Sequence, residues 1–200
     1  FGNGKTFLGV IPSAIWDFPT KLSLLSSQRT PHPLALFKKS IALEAGMYER
    51  EDYPAEDLGL WLRIARQSKL VTIPIVLLKY NLRQNSISSS RYYEIKNLTK
   101  QILNKYPLTF PEETLSLGSI NSIVKNYSEF TYGDERKILF ILDVLRYSIK
   151  SKGLLPTMRK YLIFCIWFFL VPKRIFALIK LIIQRRQRQQ FRQSKPDLHA

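Results

Sequence analysis

The chain has 200 residues, of which 46% are hydrophobic, enough for a packed core in one or two domains. Its one cysteine, Cys165, excludes an internal disulfide and sits in an apolar run, which favours a reducing compartment and a fold with no disulfide framework. The net charge of +16 is uneven: residues 146–200 hold 13 Lys/Arg against the single acid Asp197, so the basic excess belongs to the tail and points to nucleic acid, anionic lipid or simple solubility.

The chain opens on Phe1-Gly2-Asn3 and lacks the charged, apolar and small-residue order of a signal peptide, so an upstream part is expected to precede it. Residues 1–30 are poorly patterned, with Ile11-Pro12-Ser13 and Phe18-Pro19-Thr20 reading as loop. The run Leu34-Ala35-Leu36-Phe37 suits a buried strand. Ser40 then reads as an N-cap, Ile41 to Ala45 as a short helix and Gly46 as its stop. A charged loop covers 47–57, with Glu51 and Asp52 expected in solvent. Leu58, Trp61, Leu62 and Ala65 recur at helical spacing, which makes Trp61 a core residue rather than a sugar platform. Leu70 to Leu82 is rich in Val, Ile and Leu and reads as extended, divided by Pro74.

From Arg91 the pattern turns helical. Ile95, Leu98, Ile102 and Leu103 share a face, and Pro107 closes it. A further helix is expected from an N-cap at Asp134 to about Ile149, with a break at Gly153 and Pro156. The chain therefore divides into 1–90, a helical extension 91–155, and a tail 156–200. In the tail, Tyr161 to Val171 is an unbroken apolar run bracketed by Arg159, Lys160, Lys173 and Arg174. As a helix it measures about 16 Å, against roughly 30 Å of bilayer hydrocarbon. A run too short to span, rich in aromatics and flanked by cations, suits a helix in the interface of an anionic membrane. A buried core helix and a hairpin dipping in around Pro172 are the alternatives. Nucleic acid is disfavoured, because the arginines adjoin aliphatic runs rather than interleaved stacking aromatics.

Several phrases between His32 and Ser88 resemble, in order, the C-terminal half of the catalytic domain in inverting family-2 glycosyltransferases. His32-Pro33-Leu34-Ala35-Leu36-Phe37-Lys38-Lys39-Ser40 looks like the family's strand ending in a basic pair. Glu44-Ala45-Gly46-Met47-Tyr48-Glu49 is similar to its Val-Gly-Gly-Tyr-Asp-Glu turn. Ala55-Glu56-Asp57-Leu58-Gly59-Leu60-Trp61 resembles its Glu-Asp motif and following helix, and Lys69 to Ser88 its closing strand and loop. The likeness covers roughly a quarter to a third of the chain.

The resemblance implies an α/β fold, a partial GT-A domain followed by a mostly α-helical region. It implies transfer of a sugar from a nucleotide-sugar donor to the hydroxyl of a glycan, a lipid-linked acceptor or a protein, in surface polysaccharide or glycolipid synthesis. A carboxylate must take the acceptor proton, and by resemblance this is Asp57, with Glu56 shaping the acceptor site. The alternative for both is ordinary acidic stabilisation of a helix N-terminus. The family often has a second aspartate where this chain has Gly59. It often has a metal–diphosphate histidine where this chain has Arg83, which cannot ligate a metal but can fork onto diphosphate oxygens, with an exposed loop arginine as the alternative. His32 is a further substrate-side or diphosphate-binding candidate, with a structural role as its alternative, and Lys38 and Lys39 read as a solvated pair. The family's Asp-x-Asp is absent, so no metal ligand is assigned here; Mg or Mn is expected in the full-length enzyme, bound mainly by an upstream half. The absent Gln-x-x-Arg-Trp phrase of processive synthases argues for single-sugar transfer. The implied location is cytoplasmic, peripheral or monotopic at the inner face of the plasma membrane. A non-catalytic membrane- or partner-binding module is the competing reading.

Overall fold

The computed structural model describes residues 12–26, 30–81, 83 and 85–193. Nine α-helices are seen among them: α1 (Asp17–Leu24), α2 (Lys39–Glu44), α3 (Glu56–Gln67), α4 (Ile87–Ser90), α5 (Tyr92–Lys105), α6 (Leu117–Asn126), α7 (Gly133–Lys152), α8 (Leu154–Phe169) and α9 (Pro172–Gln193). Single 3-10 turns fall at His32–Leu34, Arg50–Asp52, Glu112–Leu115 and Tyr127–Glu129.

The α/β expectation is overturned. No strand occurs among the described residues, and Asn81 carries only an isolated bridge. Leu34 closes a 3-10 turn, and Leu36 and Phe37 are exposed rather than buried. Lys69 to Tyr80 forms no regular element, while Leu82 lies outside the described residues. β-branched residues favour an extended backbone, but a strand exists only through a ladder to a neighbour. Here the backbone finds only isolated partners: Leu70 N–H donates to Asp17 Oδ1 at 2.7 Å and Thr72 N–H to Ile15 O at 2.9 Å. Val71, Ile73, Ile75, Val76 and Leu77 each stay more than half exposed.

Helix starts also differ locally. Phe18-Pro19-Thr20 belongs to α1, where Pro19 sits in the first turn and its missing N–H leaves no hydrogen bond unmade. The α2 N-cap is Lys38, not Ser40. That of α7 is Tyr132, in the left-handed region at φ 60°, so Asp134 lies inside the first turn. Gly46 does end α2, at φ 84°. Met47 N–H reaches back to Ala42 O at 2.9 Å and Gly46 N–H to Leu43 O at 3.0 Å, which closes the helix as a Schellman motif.

Two apolar clusters hold the molecule together. One gathers Leu22 of α1, Ile120 and Val124 of α6, Ile138, Ile141 and Val144 of α7, Tyr161 and Phe168 of α8, and Ala177 of α9. The other gathers Leu24 of α1, Leu58, Trp61 and Leu62 of α3, and Ile102 of α5 with Tyr106 and Leu108. Helix α1 contributes to both, and Phe110 packs against both. Helix α3 is buried more widely than its stripe, since Leu60 and Ile64 are covered as well. No helix among the described residues is long and apolar enough to cross a membrane.

Candidate active site

A charged network folds residues 45–55 back onto α3. Arg63, projecting from α3, donates Nε–H to Ala45 O at 2.8 Å and an Nη2 N–H to Met47 O. Its Nη1 pairs with Glu49 at 2.8 Å and Asp52 at 3.5 Å. Lys105, the last residue of α5, meets Glu49 at 2.6 Å and Asp52 at 3.4 Å. The Tyr106 hydroxyl donates to Glu49 at 2.7 Å, and the Arg63 and Lys105 cations lie 4.9 and 5.0 Å from its ring centre. The Lys105 and Tyr106 hydrogen bonds hold the Glu49 carboxyl below its usual range. The same Glu49 contact pushes the Lys105 ammonium well above the ordinary lysine range.

This network corrects the expectation for Asp52, which is only 2% exposed, while the Glu51 side chain remains in solvent. The absent side chain at Gly59 makes the burial possible. A Cβ there would stand 3.0 Å from Asp52 Cγ and closer still to Oδ2. The space that a side chain at position 59 would take is thus filled by the Asp52 carboxylate, delivered from the preceding loop.

With the loop held so, polar groups collect at the N-terminus of α3. Glu56 and Asp57 occupy its first turn, half-buried, where the helix dipole favours negative charge. Asp57 Oδ1 accepts the Leu58 N–H at 2.8 Å. The Tyr48 hydroxyl stands 3.0 Å from His32 Nε2. Burial, then the Asp57 carboxylate, then the Glu56 carboxylate push the Tyr48 phenol above its ordinary value. Trp61, 3% exposed, has its ring edge-on to His32 at 6.0 Å and to Phe37 at 5.4 Å. Its indole N–H is buried without a hydrogen-bond partner.

His32 and Tyr48 thus meet through their side chains, while Glu56 and Asp57 stand in the first turn of α3 and act on the Tyr48 phenol through their charge. Arg83 is exposed, and its carbonyl accepts the Ser86 N–H at 3.2 Å and the Ser86 hydroxyl at 2.8 Å, just ahead of α4. Among the described residues no group of three His, Cys, Asp or Glu side chains converges that could hold a metal. The corner's donors, two adjacent carboxylates and one imidazole, therefore do not form a metal centre.

The sequence carries little signal for Tyr48 and Arg63. The Tyr48 contact with His32 spans a loop and a helix, and Arg63 lies off the apolar stripe of α3 with partners that come from the loop before it.

No family model, no curated protein and no solved structure matches the chain.

Proposed function

We propose that the α3 corner serves an inverting sugar transfer from a nucleotide-sugar to an acceptor hydroxyl. Its support is the Glu56-Asp57 pair in the first turn of α3, together with the Tyr48 hydroxyl held by His32, whose ring packs edge-on to Trp61 of the same helix. The Asp57 carboxylate takes the acceptor proton. The acceptor oxygen then bonds the anomeric carbon from the face opposite the leaving group, and the bond from that carbon to the diphosphate oxygen breaks. The nucleoside diphosphate departs with the bonding pair. Glu56 borders the acceptor, and Tyr48 and His32 offer hydrogen bonds to its neighbouring hydroxyls. Arg83 is assigned to the diphosphate by fork-like hydrogen bonding. Mg or Mn, which neutralises a leaving diphosphate, is assigned to groups outside this corner. The reading gives a glycan, lipid-linked or protein acceptor and a peripheral or monotopic place at the cytoplasmic face of the plasma membrane.

The experiment is a transfer assay on the full-length protein with labelled UDP-, GDP- and dTDP-sugars. Asp57→Asn should lower turnover by about 10² to 10⁴, the usual worth of a general base, with donor binding little changed. Unaltered turnover in the folded variant overturns the assignment. A second reading, a non-catalytic membrane-binding module, draws on the helical architecture and the surface of α8 and α9. Wild-type protein that binds no donor but binds vesicles would favour it.

A further inference from the structure

Helices α8 and α9 have two unlike faces. Tyr161 and Phe168 of α8 and Ala177 of α9 are buried in the α7 core. The opposite faces are also apolar, yet uncovered. On α8, Leu155, Leu162 and Ile166 recur at helical spacing with exposures of 79, 46 and 52%. On α9, Phe176, Ile179 and Ile183 do the same at 75, 47 and 49%. Exposed apolar residues scattered singly are ordinary, but a stripe on each of two helices joined by a tight turn is a surface awaiting cover.

Charge decides what covers it. From Leu154 to Gln193 the chain contains no Asp or Glu. Arg159, Lys173, Arg185 and Arg186 are exposed and make no ion pair among the described residues. Lys180, by contrast, meets Glu135 of α7 at 2.8 Å and so fastens α9 to the bundle. An apolar stripe bordered by unmatched cations is the two-part signal that holds a helix on an anionic membrane, because acyl chains cover the stripe while headgroup phosphates take the cations. Long basic side chains lying close to the stripe extend their charged ends toward the headgroups. Because no helix among the described residues is both long and apolar enough to cross a membrane, the pair is laid along the surface.

We infer that the face of α8 and α9 turned away from α7 docks on an anionic lipid bilayer. Ile166, Phe176 and Ile179 enter the acyl boundary, and Arg159, Lys173 and Arg186 reach the headgroups. The inference rests on the membrane placement in the reading above, not on the transfer chemistry.

Co-sedimentation of the full chain with vesicles tests it. Vesicles with about 30% phosphatidylserine should bind about tenfold or more tightly than pure phosphatidylcholine, and added salt should weaken the binding. The variant Ile166→Ser/Phe176→Ser/Ile179→Ser should bind about tenfold or more weakly at unchanged helical circular dichroism. If wild type ignores phosphatidylserine vesicles, the membrane placement and the docking face both fall. If wild type binds and the variant binds equally well, only the docking face falls. A wild type that dimerises through this face without binding vesicles, or that prefers an RNA duplex to them, also overturns the inference. Transfer activity measured in parallel on a soluble acceptor should be unchanged in the variant, which keeps this result separate from the fate of Asp57.

Discussion

The Asp52 carboxylate lies against Gly59 of α3, in the space a side chain at that position would fill. From there it faces Arg63 and Lys105, and through them Glu49 and the carbonyls of Ala45 and Met47. One missing Cβ thus allows the whole 45–55 loop to settle on α3, with the Glu56-Asp57 turn at its end.

Gly59→Ala should therefore destabilise the protein although alanine is the better helix former. The helical gain is about 1 kcal/mol. The displaced carboxylate and its partners should cost about 1 to 3 kcal/mol beyond that gain, as overpacking does in well-filled interiors. Urea unfolding measures the difference. In an Asp52→Ala background the same change should cost much less, because the clash has been removed, and that coupling identifies the contact. Equal costs in both backgrounds would exclude it.

The same network should show in the pH dependence of stability. Glu49 has a depressed folded pKa, so its contribution is complete above the ordinary carboxylate value of 4.5 and is lost as pH falls through the lower folded value. Lys105 has a raised folded pKa, so its contribution is complete below 10.5 and is lost as pH rises through the higher folded value. Both side chains are about a third exposed or more, so solvent screening limits the pair to about 1 kcal/mol or less. Glu49→Gln should flatten the acid limb of the stability curve below pH 4.5 and leave its neutral plateau lower.

The Tyr48 phenol reports on the corner without any assumption about catalysis. Its pKa is raised first by burial and then by Asp57 and Glu56. A nearby negative charge disfavours the phenolate. Asp57→Asn should therefore bring the Tyr48 titration part of the way back toward 10.0, and adding Glu56→Gln should bring it further. Tyrosine-labelled NMR through alkaline pH resolves the single residue. A titration indifferent to both substitutions would mean that the acids point away from Tyr48.

Helix α3 was legible because Leu58, Trp61, Leu62 and Ala65 repeat with its period, and the end of α2 was legible because Gly46 alone there tolerates a positive φ without strain. Helix α5 was legible for the same periodic reason. The closing strand that the resemblance implies over Lys69 to Tyr80 is absent because composition reports a local preference, whereas a strand depends on a partner elsewhere in the chain. Asp52 was misread because its burial depends on what Gly59 lacks and on cations from two other positions, none adjacent in sequence. The His32–Tyr48 contact was invisible for that reason too. The Glu56-Asp57 pair was singled out by its resemblance to a motif, and its place in the first turn of α3 came with the fold.

The run from Tyr161 to Val171 posed a choice between buried core and membrane surface, and α8 carries one covered face and one exposed apolar face. Tyr161 is 3% exposed, its hydroxyl donates to Leu115 O at 2.7 Å, and Phe168 is fully covered with the Arg174 guanidinium over its ring at 4.3 Å. Leu162 and Ile166, on the other side of the same helix, are about half exposed. The two faces should respond oppositely to truncation. Phe168→Ala removes a ring from a filled interior and should cost about 3 to 5 kcal/mol, the range for a buried aromatic. Ile166→Ser should change stability by less than about 0.5 kcal/mol, as surface changes do. Denaturant titrations on the two variants make the comparison. Deleting 154–193 altogether should unfold the α7 core rather than release a soluble remainder, because Tyr161, Phe168 and Ala177 are part of that core. A stable, folded truncation product would show that α8 and α9 only rest on the bundle, and a large loss for Ile166→Ser would show that its face is covered by protein rather than left for lipid.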